Sequence, residues 1–208
     1  EPMHGLRTID VSEMHSCVVL RGGSVSCWGC EEPENFGQCT PPEGIRAVAV
    51  ATSALHTCAV LESGRVKCWG KSDFGVLRVP KDVASVRDIA SAVGFNAAVT
   101  ASGDLKVWGE SAPDLCSRGM CTGVRSVSAS DDYLCVSYLD GSHACFRTKN
   151  DLAQIQAGLQ REIPTWLVGS AVSALSVDSG VTVAVVSGSV VEASKVHLPA
   201  PSKILKPE

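Results

Sequence analysis

"HTCAVLESGRVKCWG", residues 56–70, decides the fold. Two short runs rich in β-favouring residues flank Glu62-Ser63-Gly64. A three-residue hairpin loop needs one residue at positive φ, and glycine adopts that conformation without steric strain. Folding the segment about this loop sets Leu61 against Arg65, and therefore Cys58 against Cys68. Facing residues of an antiparallel pair hold their Cβ atoms about 4.5–5.5 Å apart. A disulfide needs roughly 3.5–4.5 Å, so a small adjustment would staple the hairpin.

The same sentence is written several times along the 208-residue chain. "GLRTIDVSEMHSCVVLRGGSVSCWG" begins at Gly5 and "GIRAVAVATSALHTCAVLESGRVKCWG" at Gly44. "SVRDIASAVGFNAAVTASGDLKVWG" and "GVRSVSASDDYLCVSYLDGSHACF" follow, and "AVSALSVDSGVTVAVVSGSVVEAS" is a weaker fifth copy. The turn glycine recurs as Gly23, Gly64, Gly103, Gly141 and Gly188. The units run over 5–43, 44–82, 83–122, 123–166 and 167–205. Each reads as a mostly buried first strand, a turn, a hairpin and a variable Pro- and Gly-bearing linker. A period near 40 with about four short strands per unit is the mark of propeller blades. One blade cannot bury its own sheet faces, so several must stack. The expectation is an all-β chain, a single β-propeller domain over 1–208 with about five disulfide-stapled blades. Asp151–Ile163 could form a short helix in the fourth linker, and Val196 to Leu198 could complete the last sheet.

The cysteines follow the repeat. Cys17 and Cys27, Cys58 and Cys68, and Cys135 and Cys145 are each ten residues apart. The third unit has Ala97 and Val107 at these positions, and the fifth has Thr182 and Glu192. Joint loss is what pairing predicts. Cys30, Cys39, Cys116 and Cys121 lie in linkers. Cys30–Cys39 and Cys116–Cys121 are the simplest pairs, and the sequence leaves a crossed arrangement open. Cys27-Trp-Gly-Cys30 therefore reads as two members of different bridges. A redox dithiol would sit at a helix start, and a zinc knuckle would need a second pair in tetrahedral reach. Disulfides on this scale belong to oxidising surroundings.

Composition narrows the function. The chain is 45% apolar and 19% charged, with a net charge of −4, which is globular rather than disordered. No Lys/Arg cluster offers an electrostatic footprint for nucleic acid. No apolar run reaches the ~18 residues of a membrane helix. The Pro- and Lys-bearing tail after Val196 reads as a domain exit, so a membrane anchor beyond Glu208 fits an ectodomain. No nucleophile-base constellation, phosphate loop, metal set or cofactor motif stands out. Asp131-Asp132 reads as a turn, because adjacent strand residues face opposite ways. The chain is expected not to be an enzyme and to need no cofactor.

Binding remains. The loop before each hairpin strand forms one ring of positions: Met14-His15, Leu55-His56, Gly94-Phe95, Asp132-Tyr133 and Ser179-Gly180. Large apolar and aromatic side chains on exposed loops are what interface hot spots favour, although His15 and His56 also suit a structural role at the strand entry. Trp28, Trp69 and Trp108 recur with the repeat and read as core. Trp166 stands outside that register and is a further contact candidate.

"HTCAVLESGRVKCWG" and "WGCEEPENFGQCTPPEGIRAVAV" resemble repeats of the regulator of chromosome condensation superfamily. The His, the Gly turn, the Trp-Gly and Gly37-Gln38 carry the resemblance; Gly75-Val76 departs from it. It covers residues 5–150 well and 167–200 poorly. The paired cysteines are similar to crinkly-type repeats of plant receptor-kinase ectodomains, and the short unit of ~39 residues with its Thr-Pro-Pro linker is similar to the secreted bacterial propeller that inhibits β-lactamases. The resemblance implies an extracellular or cell-surface binding module with a protein or glycan partner. An inhibitor of the β-lactamase-inhibitor type is the alternative, and an intracellular GTPase exchange factor or adaptor ranks below it. Members of the superfamily usually have seven blades; five units are counted here.

Overall fold

The computed structural model describes residues 6–131, 133–147, 172–178, 181–186, 189–194 and 203–205. Asp132, Trp166, the Asp151–Ile163 segment and Val196 to Leu198 lie outside them. Among the described residues sixteen strands are formed. The first sheet contains β1 (Leu6–Val11), β2 (Ser16–Leu20) and β3 (Val25–Trp28). The second contains β4 (Ala47–Thr52), β5 (His56–Leu61) and β6 (Val66–Gly70). The third contains β7 (Val86–Ala92), β8 (Phe95–Thr100) and β9 (Leu105–Trp108). The fourth contains β10 (Val124–Ala129), β11 (Tyr133–Tyr138) and β12 (His143–Arg147). The fifth contains β13 (Val172–Asp178), β14 (Val181–Val186), β15 (Ser189–Ser194) and β16 (Lys203–Leu205).

Every sheet is an antiparallel meander, one per sequence repeat. Among the described residues the first four have three strands, where the period suggested about four. Their linkers carry Pro, Gly and, in the first and third, a disulfide. In the first three blades these segments form no further strand. A shared irregularity confirms the common construction. The first strand of each sheet slips register by one residue near its start, between Leu6 and Thr8, Ala47 and Ala49, Val86 and Asp88, Val124 and Ser126, and Val172 and Ala174.

The hairpins pair as the turn dictates. Cys17 faces Cys27, Cys58 faces Cys68, and Cys135 faces Cys145, each bonded through sulfur. Their Cα atoms stand 4.0–4.1 Å apart, the close spacing of a pair that exchanges no ladder hydrogen bonds. Ala97 faces Val107 on the unstapled rung. The fifth hairpin departs from expectation. Thr182 faces Ala193 and Glu192 faces Val183, because Val186 pairs with Ser189 across only two residues. A loop one residue shorter moves the register by one. Cys30 bonds Cys39 and Cys116 bonds Cys121, so the local pairs are formed.

The backbone groups into two compact units, Glu1–Ala112 and Pro113–Glu208. In the first, the core lies between sheets rather than within one. Cys17 and Val19 of the first blade pack with Ala47, Val50, Ala59 and Trp69 of the second. Ala51, Cys58, Val60 and Cys68 of the second pack with Val86, Ile89, Ala98 and Trp108 of the third. In the second unit, β13 packs against β10 and β11, where Val124, Leu134 and Val136 are buried.

One core expectation is corrected. Trp69 and Trp108 are buried, but Trp28 is half exposed. The indole of Trp69 donates to the Gln38 carbonyl at 2.8 Å, and that of Trp108 to the Val76 carbonyl at 2.9 Å. Each tryptophan is thus covered by the linker of the blade before it. Trp28 belongs to the first blade and has no such linker over it among the described residues.

Candidate functional site

The loop joining the first two strands of a blade is closed by a small motif, Ser-x-x-His. The Ser12 N–H donates to the His15 carbonyl, and the Ser53 N–H to that of His56, each at 2.9 Å. Ser130 and Tyr133 repeat the backbone bond at 2.8 Å. The serine hydroxyl also meets the ring: Ser53 Oγ lies 2.8 Å from His56 Nδ1, and Ser12 Oγ 3.3 Å from His15 Nδ1. A serine turn of this kind satisfies the loop locally. The recurrence of Ser-x-x-His or Ser-x-x-Tyr in "SEMH", "SALH" and "SDDY" was a readable signal that the period alone passes over.

The imidazoles point inward and forward. His15 Nε2 lies 2.7 Å from Thr57 Oγ1, and His56 Nε2 lies 2.8 Å from Asn96 Oδ1. Thr57 Oγ1 donates to the Gln38 carbonyl at 3.0 Å, and Asn96 Nδ2 to the Val76 carbonyl at 3.0 Å. These onward bonds leave Thr57 Oγ1 and Asn96 Oδ1 as acceptors, so both histidines carry the proton on Nε2. One linker carbonyl per junction thus accepts from two groups of the next blade, an indole N–H and a polar side chain. Gln38 itself is buried, with Nε2 donating to the Glu34 carbonyl and Oε1 accepting from the Phe36 N–H. His15 and His56 are buried. Burial, and after it the neighbouring His56, lowers the pKa of His15 to about 4. Asp10 completes the first junction by accepting from Thr52 N–H at 2.6 Å and Thr52 Oγ1 at 2.9 Å. Its burial raises its pKa despite those bonds.

This geometry sorts the candidate ring. His15, His56 and Phe95 lie inside the blade stack and offer no surface. The two imidazoles join each of the first two blades to the next. Met14 is exposed, and Leu55 and Tyr133 are half-buried. Asp132 and Trp166 lie outside the described residues.

Two surface residues were missed. Phe36 and Phe74 precede Gly37 and Gly75 at matching linker positions, and both are exposed. Phe74 has φ of 58°, a left-handed conformation that is uncommon for a side chain of this size. The Lys71 ammonium lies 4.7 Å from the centre of the Phe36 ring. The Lys71 N–H also donates to the Leu55 carbonyl at 2.9 Å, and the Glu110 N–H to the Phe74 carbonyl at 2.8 Å. Gly29 lies against the Met14 carbonyl. The hairpin-entry loops and the segments leaving each Trp-Gly therefore share one end of each blade. That end presents Met14, Leu55, Phe36, Lys71 and Phe74, with Glu13, Glu31, Glu32 and Glu34 exposed in the same loops. The recurring F-G dipeptide could have revealed the phenylalanines. Among the described residues no group of three His, Cys, Asp or Glu is placed to hold a metal ion.

Residues 47–76 match the family model of the Regulator of chromosome condensation (RCC1) repeat. No curated protein matches the chain. Among solved structures, the ectodomain of the Physcomitrella patens receptor kinase CR4 aligns with a TM-score of 0.57 at 23% identity. That match covers 69% of this chain and 39% of the other. The CRINKLY WD40 ectodomain of the Arabidopsis thaliana receptor kinase ACR4 aligns at 0.67 and 17% identity, covering 96% of this chain and 67% of the other. Prp20p of Saccharomyces cerevisiae, described with its binding to Gsp1p and histones, aligns at 0.65 and 16% identity. That match covers 91% of this chain and 58% of the other. The chain thus spans less than two thirds of the first and third of these structures. The chain is similar in fold to these structures, and its own described residues carry five disulfides.

Proposed function

We propose that this chain is an extracellular binding module, secreted or displayed on a cell surface, and that it engages a protein through the loop end of its first three blades. The observation that carries the reading is the set of five disulfides on an RCC1-like fold. Bridges of this density persist where thiols are not kept reduced. The fold likeness to two receptor-kinase ectodomains supports the same setting.

The loop end supplies the chemistry. Met14, Phe36 and Phe74 are exposed apolar side chains on a rigid, cross-linked scaffold. Anchors of this kind, held in place before binding, lose little entropy when a partner docks. The acidic side chains around them favour a partner with basic groups at its rim. We propose no enzymatic activity for the chain.

The test has two parts. Thiol counting under denaturation, on protein from its native source, should find no free cysteine; ten free thiols would overturn the extracellular assignment. The immobilised chain should then be screened against secreted and cell-surface ectodomains and a glycan array. A triple variant, Met14→Ser/Phe36→Ser/Phe74→Ser, should lose the binder while keeping its thermal midpoint. Retention of full binding by that variant, or β-lactamase inhibition at the same surface, would replace this reading.

A further inference from the structure

Phe36 and Phe74 occupy matching linker positions, and only one of their rings carries a cation. The Lys71 ammonium stands 4.7 Å from the centre of the Phe36 ring and 2.9 Å from the Asp73 carboxylate. A ring face and a carboxylate together satisfy one ammonium, the ring through its quadrupole and the carboxylate through its charge. Lys71 directly follows Gly70, so the cation comes from the blade after the one whose linker carries the ring.

The next junction repeats the ring and lacks the cation. Gly109 is the counterpart of Gly70, and each lies against a hairpin-entry carbonyl, that of Gly94 or Leu55. Glu110 therefore follows its glycine as Lys71 follows Gly70. The Glu110 N–H donates to the Phe74 carbonyl at 2.8 Å, which holds the two residues side by side. Glu110 is exposed and forms no ion pair among the described residues. Phe74 is 41% exposed, and among the described residues no Lys or Arg lies over its ring. Its linker is also fixed, because the Val76 carbonyl accepts from both Trp108 and Asn96. The ring is thus in place before a partner arrives, which spares the cost of ordering it on binding.

We infer that Phe74 and Glu110 form a subsite for a lysine side chain of the protein partner, whose ammonium takes the place on Phe74 that Lys71 takes on Phe36. The ring supplies its face and Glu110 the opposite charge. The subsite rests on the loop-end reading of the function, and it names what that surface selects. The acidic loops around Phe36 steer a cationic partner towards it. Phe36 is already satisfied from within the chain and leaves this role to Phe74.

The experiment titrates the full disulfide-bonded chain, isotope-labelled in its phenylalanine rings, with acetyl-lysine methylamide and with the uncharged acetyl-norleucine methylamide, read by NMR. The ring signals of Phe74, assigned with Phe74→Leu, should shift saturably with the lysine probe and not with the norleucine probe. The Phe36 signals should respond only once Lys71→Met removes the internal cation. Glu110→Gln should weaken the lysine titration at least about fivefold. Glu110→Lys should abolish it at an unchanged thermal midpoint. No shift at Phe74 in the native chain, or an equal shift with norleucine, overturns the subsite. So does a protein partner that Glu110→Lys binds as well as the native chain does. That last outcome leaves the loop-end reading standing, which fails separately if Met14→Ser/Phe36→Ser/Phe74→Ser keeps full binding.

Discussion

Burial, and after it the neighbouring His56, makes a second proton costly for His15. His15 uses Nε2–H toward Thr57, while Nδ1 faces the Ser12 hydroxyl. Its pKa falls to about 4 from an ordinary 6.5. The unfolded chain therefore binds the extra proton at higher pH than the folded one. Stability should be flat above pH 6.5 and fall as pH drops from 6.5 towards 4, by on the order of 2–3 kcal/mol at most. Asp10, whose carboxyl is raised by burial, contributes in the opposite sense. Denaturant titrations at a series of pH values should show the slope shrinking in His15→Gln; an unchanged slope would mean another group carries it. Gly70 gives a second residue-scale prediction. It sits at φ 109°, and a Cβ there would lie 2.7 Å from the Leu55 carbonyl oxygen. Gly70→Ala should cost at least about 2 kcal/mol, measured by chemical denaturation.

At the scale of the element, the sequence made the hairpin rungs legible because one glycine and a fixed ten-residue spacing determine both turn and partner. The same logic yields an engineering test. Ala97 and Val107 face each other as Cys58 and Cys68 do. Ala97→Cys/Val107→Cys should therefore close a sixth disulfide, visible as two mass units lost on oxidation, and add up to about 2–3 kcal/mol. Failure to close would mean the third hairpin cannot draw its strands to the spacing of the other rungs. Less was legible where local context replaced the repeat. The fifth hairpin has a shorter connection, and its register slipped accordingly. Trp28 carries the same Cys-Trp-Gly signature as Trp69. Burial, though, is decided by a neighbouring blade and not by the signature. For the same reason the sequence could place His15, His56 and Phe95 on one ring without revealing that the ring faces inward.

For the whole molecule, the stack of blades explains why cross-links matter. Each sheet of the first unit is thin, and its core is shared with the next sheet. Loosening one blade strips cover from another. Reduction of the disulfides should therefore act cooperatively, lowering the thermal midpoint by at least about 10 °C. Calorimetry with and without reductant checks this. A shift of only a few degrees would mean the inter-blade cores hold the stack unaided. The candidate surface was only partly readable at this scale. Met14 was identified from its loop, but Phe36 and Phe74 lie in linkers whose place on the blade depends on hydrogen bonds to the following one.

Those linkers are anchored at both ends, at the Trp-Gly and at the carbonyl that meets the next tryptophan. Gly29 and Gln38 are nine residues apart, whereas Gly70 and Val76 are six apart. Yet Gln38 and Val76 each place a carbonyl on the next tryptophan. The longer path takes up its surplus in a loop closed by Cys30 and Cys39. A lineage could therefore lengthen, shorten or rewrite these stretches without retuning the scaffold, so new recognition could evolve there while the architecture stays still.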